Sequence, residues 1–182
     1  MIFQFLFIGD NLVVIGGNDG QYMGSINKVS NIELIKAKRG SENCDPTIHL
    51  QHPVSGQASI ASDKGVITCG GFKIDERLNT PECYVLRKNG ETRHFPSMKT
   101  GRSSFGLAII NDTLYAVGGT YAYTTMEMIN LNTDSEWSQI DMPFGLDAHC
   151  VTTTQTTIVI TGGVSWVSNP NPFSPPPEVS KK

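Results

Sequence analysis

Residues 105–119 read FGLAIINDTLYAVGG: an apolar run, the pair Asn111-Asp112, a second apolar run, and two glycines. Apolar and β-branched runs flanking a two-residue Asn/Asp pair are the mark of a β-hairpin. The pattern recurs along the chain. Residues 3–17, FQFLFIGDNLVVIGG, superpose on it without a gap, with 6 identities in 15 positions. Residues 149–163, HCVTTTQTTIVITGG, have the same length, and residues 59–71 fit after one insertion near Lys64. Each copy ends in a doublet: Gly16-Gly17, Gly70-Gly71, Gly118-Gly119 and Gly162-Gly163, at intervals of 54, 48 and 44 residues. Near-constant spacing of this size is the sequence mark of a repeat architecture. Paired glycines suit a strand that bends sharply or admits another backbone closely, so all eight are assigned structural roles.

After each of the first three doublets a polar loop leads into two further short strands. In the third copy these are predicted over residues 126–131 and 137–141, and in the second over residues 82–86 and 91–95, joined around Asn89-Gly90. Four antiparallel strands per copy make a propeller blade. No helical periodicity longer than two turns occurs, so the chain is predicted to be all-β.

Residues 101–143, GRSSFGLAIINDTLYAVGGTYAYTTMEMINLNTDSEWSQIDMP, closely resemble a kelch repeat. The resemblance rests on the Gly-Arg-Ser lead-in, Tyr115 before the small-apolar-Gly-Gly ending, the acidic third strand and Trp137, a structural position. The second copy has Arg93 about where the Trp would fall, and the first lacks a Trp. The resemblance covers residues 1–163 and implies kelch-type β-propeller blades of four antiparallel strands, with the ring incomplete. Blades are expected over residues 1–53, 54–98 and 99–144, and a half blade over 145–167, together a propeller segment 1–167. Residues 168–182, rich in Pro, are expected to form a disordered tail, because proline donates no ladder hydrogen bond. A propeller closes with typically 4 to 8 blades, so the chain reads as a fragment of a larger kelch protein. The alternative is a short chain that self-associates through its open blade edges, two copies completing one ring.

Composition narrows the partners. A net charge of −3 with 14 scattered Lys and Arg offers no basic stripe for nucleic acid. No apolar run reaches 18 residues, so no membrane span is visible. The opening MIFQFLFI lacks a positive n-region and aligns with a repeat strand, so it reads as a strand rather than a signal peptide. The compartment, cytoplasmic or extracellular, stays open.

Cys44, Cys69, Cys83 and Cys150 form no C-x-x-C pair, and no metal site or cofactor is expected. Cys69 and Cys83 fall on strands that can be neighbours, and the segments TCGG and PECYVL look like secreted kelch repeats in which this pair is bridged. Two buried free thiols are the equal alternative. Asn111-Asp112-Thr113 is a glycosylation sequon that also reads simply as a turn. Gly16-Gly17-Asn18-Asp19-Gly20 opens no helix and lacks the Gly-Lys-Ser/Thr ending of a phosphate loop. His49 and His52 would face opposite sides of a strand, and His149 with Cys150, the most chemical-looking pair, reads as packing.

Some kelch propellers are enzymes, and a sugar oxidase or sugar isomerase with its catalytic blades missing is the alternative function. Cys83 and Tyr84 are sequence neighbours pointing to opposite faces, which does not suit an oxidase crosslink. The chain is therefore read as a non-enzymatic scaffold that binds another protein. In kelch propellers the loops joining second to third strands, and those joining blades, surround one mouth. Here they are residues 18–25, 72–80 and 120–125, with 99–103 and 144–147. They carry Tyr22, Phe72, Arg77, Arg102, Ser103, Tyr121 and Tyr123, aromatic and Arg types enriched at hot spots. Phe72 and Tyr121 are expected at the same place in neighbouring blades. Packing roles for Arg102 and the loop aromatics are the bland alternative.

Overall fold

The structure, a computed structural model, describes residues 4–8, 11–15, 31–36, 44–49, 54–73, 75–87 and 89–166. Every element among them is a strand. Strands β1 (Gln4–Ile8), β2 (Asn11–Ile15), β3 (Asn31–Lys36) and β4 (Cys44–His49) form one antiparallel sheet in sequence order. The chain then enters β5 (Val54–Ser55), the hairpin β6 (Ala58–Ser62) and β7 (Gly65–Cys69), the short ribbon β8 (Phe72–Lys73) and β9 (Leu78–Asn79), and the pair β10 (Cys83–Leu86) and β11 (Thr92–Phe95). Here β6, β7, β10 and β11 make the second four-stranded sheet. The third is β12 (Gly106–Ile110), β13 (Thr113–Val117), β14 (Thr125–Asn130) and β15 (Ser138–Asp141). Last come β16 (Gly145–Asp147), β17 (Cys150–Thr153), β18 (Ile158–Thr161) and β19 (Val164–Trp166), with β17 paired to β18 and β16 to β19. The first strands of successive sheets lie side by side, β1 against β6, β6 against β12 and β12 against β17. These are propeller blades, and among the described residues they do not close a ring.

The hairpin registers show one correction. Ile8 pairs with Asn11, Ser62 with Gly65 and Ile110 with Thr113, so each of the first three hairpins turns on two residues. The second copy needs no insertion near Lys64: residues 57–71 match residues 105–119 one for one, with Asp63-Lys64 standing where Asn111-Asp112 stands. Two-residue turns fit the right-handed twist of the flanking strands, and Asn111 and Asp112 both take the positive φ they require (48° and 60°).

The glycine doublets bring blades together. Gly118 and Gly119 have φ of 59° and 95°, and a Cβ on Gly118 would lie 2.7 Å from the Leu146 carbonyl oxygen of the next blade. The Gly119 amide donates to that same carbonyl at 2.8 Å, as the Gly71 amide donates to Arg102 O at 2.9 Å one blade earlier. Just before β6, β12 and β17 stands a residue with left-handed backbone: Gly56 (67°), Ser104 (54°) and Ala148 (52°). Ser104 N donates to Gly56 O at 2.7 Å and Ala148 N to Ser104 O at 2.9 Å, a line of bonds running from blade to blade.

The apolar core lies between the second and third blades, where Ile67, Cys83, Phe95, Phe105, Leu114 and Trp137 are all buried. Trp137 is buried in this core. Its indole Nε1 donates to Pro96 O at 2.8 Å and its ring meets Phe95 edge-on at 6.4 Å, joining the outer strands of two blades. Cys69 and Cys83 face each other on β7 and β10 and are joined by a disulfide. In the third blade the corresponding facing pair is Val117 and Met126. Gly16, Gly17 and the tail 168–182 lie outside the described residues.

Candidate functional site

The mouth of the blades is built by one device used three times. The segment entering each blade pairs with the segment that follows its glycine doublet: Ser55 with Phe72, Ser103 with Thr120, and Leu146 with Ser165. Once the doublet has turned the chain out of the sheet, this short pairing satisfies backbone groups that no ladder strand reaches. Neighbouring loops are then tied together. Asn79 Nδ2 donates to Thr120 O at 3.1 Å, Thr120 Oγ1 donates to Asp147 Oδ1 at 3.0 Å, and Leu146 N donates to Tyr123 O at 2.9 Å. Gly101 permits the contact between blades, since a Cβ there would lie 2.2 Å from Asn79 O.

On this base the candidate residues fall into two groups. Tyr121 is 76% exposed and has φ of 68°, in the left-handed region that bulky residues rarely adopt. Arg77 is exposed on the turn between β8 and β9, also with positive φ (54°), and Tyr123 is half-buried beside Leu146. Leu78 and Phe144, each 44% exposed, join them at the mouth. Neither was anticipated from the sequence, because exposure of an apolar loop residue depends on which strands cover it.

Arg102 and Ser103 are corrections. Arg102 is 0% exposed. Its Nη1 donates to the carbonyls of Ala116, Gly118 and Thr125, and its Nη2 to Thr125 Oγ1 and, at 2.6 Å, to Glu127 Oε1. Glu127 also accepts the backbone amides of Lys99 and Thr100. Burial pulls the Arg102 guanidinium below its ordinary pKa, and the Glu127 carboxylate opposes the shift. This guanidinium fastens the lead-in to β13 and β14 and presents nothing at the surface. Ser103 is buried too, its carbonyl accepting from Thr120 N. Phe72 does not match Tyr121: the pairings with Ser55 and Ser103 align Phe72 with Thr120, and Tyr121 with Lys73. Lys73 is buried and ion-paired to Glu76 and Glu82 at 3.4 and 3.2 Å, while Phe72 is half-buried within the ribbon. Tyr22 lies outside the described residues.

Below the mouth, Gln57, Phe105 and His149 occupy equivalent positions at the start of β6, β12 and β17. Gln57 Nε2 donates to Ile15 O of the previous blade at 2.9 Å. His149 is buried beside Gly118, and burial holds its imidazole below the ordinary value against the pull of the Val117 carbonyl and Asp147. Cys150 beside it is a free, exposed thiol. Cys83, bonded to Cys69, has no thiol to offer Tyr84. Among the described residues no group of three His, Cys, Asp or Glu side chains is placed to hold a metal, and no helix is long and apolar enough to cross a membrane.

No family model matches the chain. It is 31% identical over 118 residues to Kelch repeat and BTB domain-containing protein 2 of cowpox virus (strain GRI-90 / Grishak), covering 63% of this chain and 21% of that protein. It is 37% identical over 75 residues to the Influenza virus NS1A-binding protein homolog of Xenopus laevis, 41% of this chain and 12% of that protein. The human Influenza virus NS1A-binding protein matches at 32% over 82 residues, 43% and 12% of the two chains. The chain thus spans 21% or less of the length of these relatives. In three dimensions it is similar to the solved structure of YjhT, with a TM-score of 0.76 at 12% identity over 88% of this chain and 58% of that one. A likeness at that identity speaks for the fold alone.

Proposed function

We propose, from the premise that this chain is built of kelch repeats folded as propeller blades, that it binds another protein through the loops of its mouth. The observation that carries the reading is Tyr121. A tyrosine packed for stability buries its ring, whereas this one stands in solvent on a left-handed backbone. Strained, exposed positions of this kind mark functional sites when the surroundings hold them in place. Thr120, bonded to Ser103, Asn79 and Asp147, supplies that hold. Leu78 and Phe144 add apolar area, and Arg77 a charge that no ion pair among the described residues engages.

The relatives agree in kind, since one pair is named for binding the influenza protein NS1A. As part of a longer kelch protein, this segment would contribute one arc of a binding mouth. The test compares proteins captured by the wild-type chain, by Tyr121→Ala/Phe144→Ala, and by Arg87→Ala/Arg93→Ala on the opposite face. Expected is a bound protein lost only with the mouth variant, whose melting temperature stays within about 2 °C of wild type because exposed substitutions cost little. Capture that survives the mouth variant and fails with the opposite-face variant would reverse the assignment.

A further inference from the structure

We infer that Asn111 is an N-glycosylation site and that this chain folds in the oxidising lumen of a secretory compartment. Two independent features support this. The first is the disulfide between Cys69 and Cys83, which face each other across β7 and β10 and are both buried. Structural disulfides persist in oxidising compartments and are rare where glutathione keeps thiols reduced. Forming this bond removes two electrons and two protons from the two thiols, passed to a thiol–disulfide oxidant of the lumen.

The second is the acceptor itself. Asn111-Asp112-Thr113 is the only Asn-X-Ser/Thr sequence (X not Pro) in the 182 residues. Asn111 and Asp112 form the exposed two-residue turn between β12 and β13. The Asn111 carboxamide makes no hydrogen bond among the described residues, so a sugar on its nitrogen displaces no contact of the fold. In the transfer, Asn111 Nδ2 bonds to the anomeric carbon of a lipid-diphosphate-linked oligosaccharide. The carbon–oxygen bond to the diphosphate breaks, the lipid diphosphate leaves with the electron pair, and the carboxamide loses one proton.

The place of the turn matters for the mouth. Connections between first and second strands lie at the end of the blade opposite the doublets, so the glycan would stand on the face away from Tyr121. That face holds a cleft of about 640 Å³ floored by Val85, Phe95, Pro96 and Leu131. The turn is tied to one residue of that cleft, since Leu131 N donates to Asp112 O at 2.7 Å. A glycan there would leave the mouth free.

The experiment is peptide mapping of the protein from its own cells, without reduction, after glycosidase release in ¹⁸O water. Expected are an Asn111 peptide converted to ¹⁸O-labelled Asp and a Cys69–Cys83 linked peptide. Chain from the same cells carrying Asn111→Gln or Thr113→Ala should lose the glycosidase-sensitive mobility shift, and Thr113→Ser should keep it. An unmodified Asn111 peptide, or free thiols at Cys69 and Cys83, overturns the inference.

Discussion

At the scale of the residue, the glycine doublets separate two costs that usually arrive together. Gly118 and Gly162 have similar backbones (φ 59° and 69°), but a Cβ on Gly118 meets Leu146 O whereas one on Gly162 has nothing within 4 Å among the described residues. Gly162→Ala should therefore cost about 1–2 kcal/mol of left-handed strain alone. Gly118→Ala adds a backbone clash and should cost at least about 3 kcal/mol, read from urea unfolding. Arg102 and Glu127 form the one fully buried ion pair among the described residues. Equivalent lead-in positions in the neighbouring blades carry Val54 and Leu146, so the pair is a local choice and not a requirement of the repeat. Once chosen it is costly to break: Glu127→Ala strands a buried guanidinium and two backbone amides, a loss of about 3–5 kcal/mol. His149 adds a pH dependence. The unfolded chain takes up its proton near pH 6.5, the folded chain only at lower pH because burial depresses the value. Below about pH 6.5 the unfolded state holds more protons and stability falls. His149→Phe, which copies Phe105, should flatten melting temperature between pH 5 and 7.

At the scale of the element, the Cys69–Cys83 bridge takes the place that Val117 and Met126 fill in the third blade. It closes a loop with a sequence separation of 14, for which loop-closure entropy gives about 3 kcal/mol. Cys69→Val/Cys83→Met keeps apolar side chains at both positions and removes the crosslink. Its unfolding free energy should fall by about that amount, and added reductant should no longer change it. Strands were the most legible part of the sequence, because alternating apolar runs bounded by Asn-Asp, Asn-Gly and Gly-Gly depend only on local residues. The bends before each first strand were not legible. Ser104 and Ala148 carry no side-chain signal for a left-handed backbone, and their bonds go to residues 48 and 44 positions earlier, Gly56 and Ser104. Arg102 misled for the same reason. Its type suggested an exposed contact, and only the distant Glu127 explains its burial. Tyr121 was named from the loop it occupies; two places past its doublet it aligns with Lys73, which is buried, so equal distance from a doublet does not fix which residue faces out.

At the scale of the whole molecule, the fourth repeat presents β17 and β18 with no third or fourth strand among the described residues. Ile158, Val159 and Ile160 on β18 are only half-buried. An apolar edge of this kind recruits other strands. Light scattering on residues 1–182 should find self-association that Val159→Lys reduces, since a charge on an edge strand opposes pairing; equal, monomeric scattering from both proteins would refute it. In the second and third repeats the amide of the second glycine is served by a carbonyl of the following repeat, Gly71 by Arg102 and Gly119 by Leu146. In synthesis this makes time part of the fold. A blade whose own four strands have been made still has an unfinished mouth, until the lead-in residue beyond its fourth strand, Arg102 after Phe95 or Leu146 after Asp141, arrives to complete it. Order is thus passed forward along the growing chain, with each newly made lead-in sealing the repeat made before it.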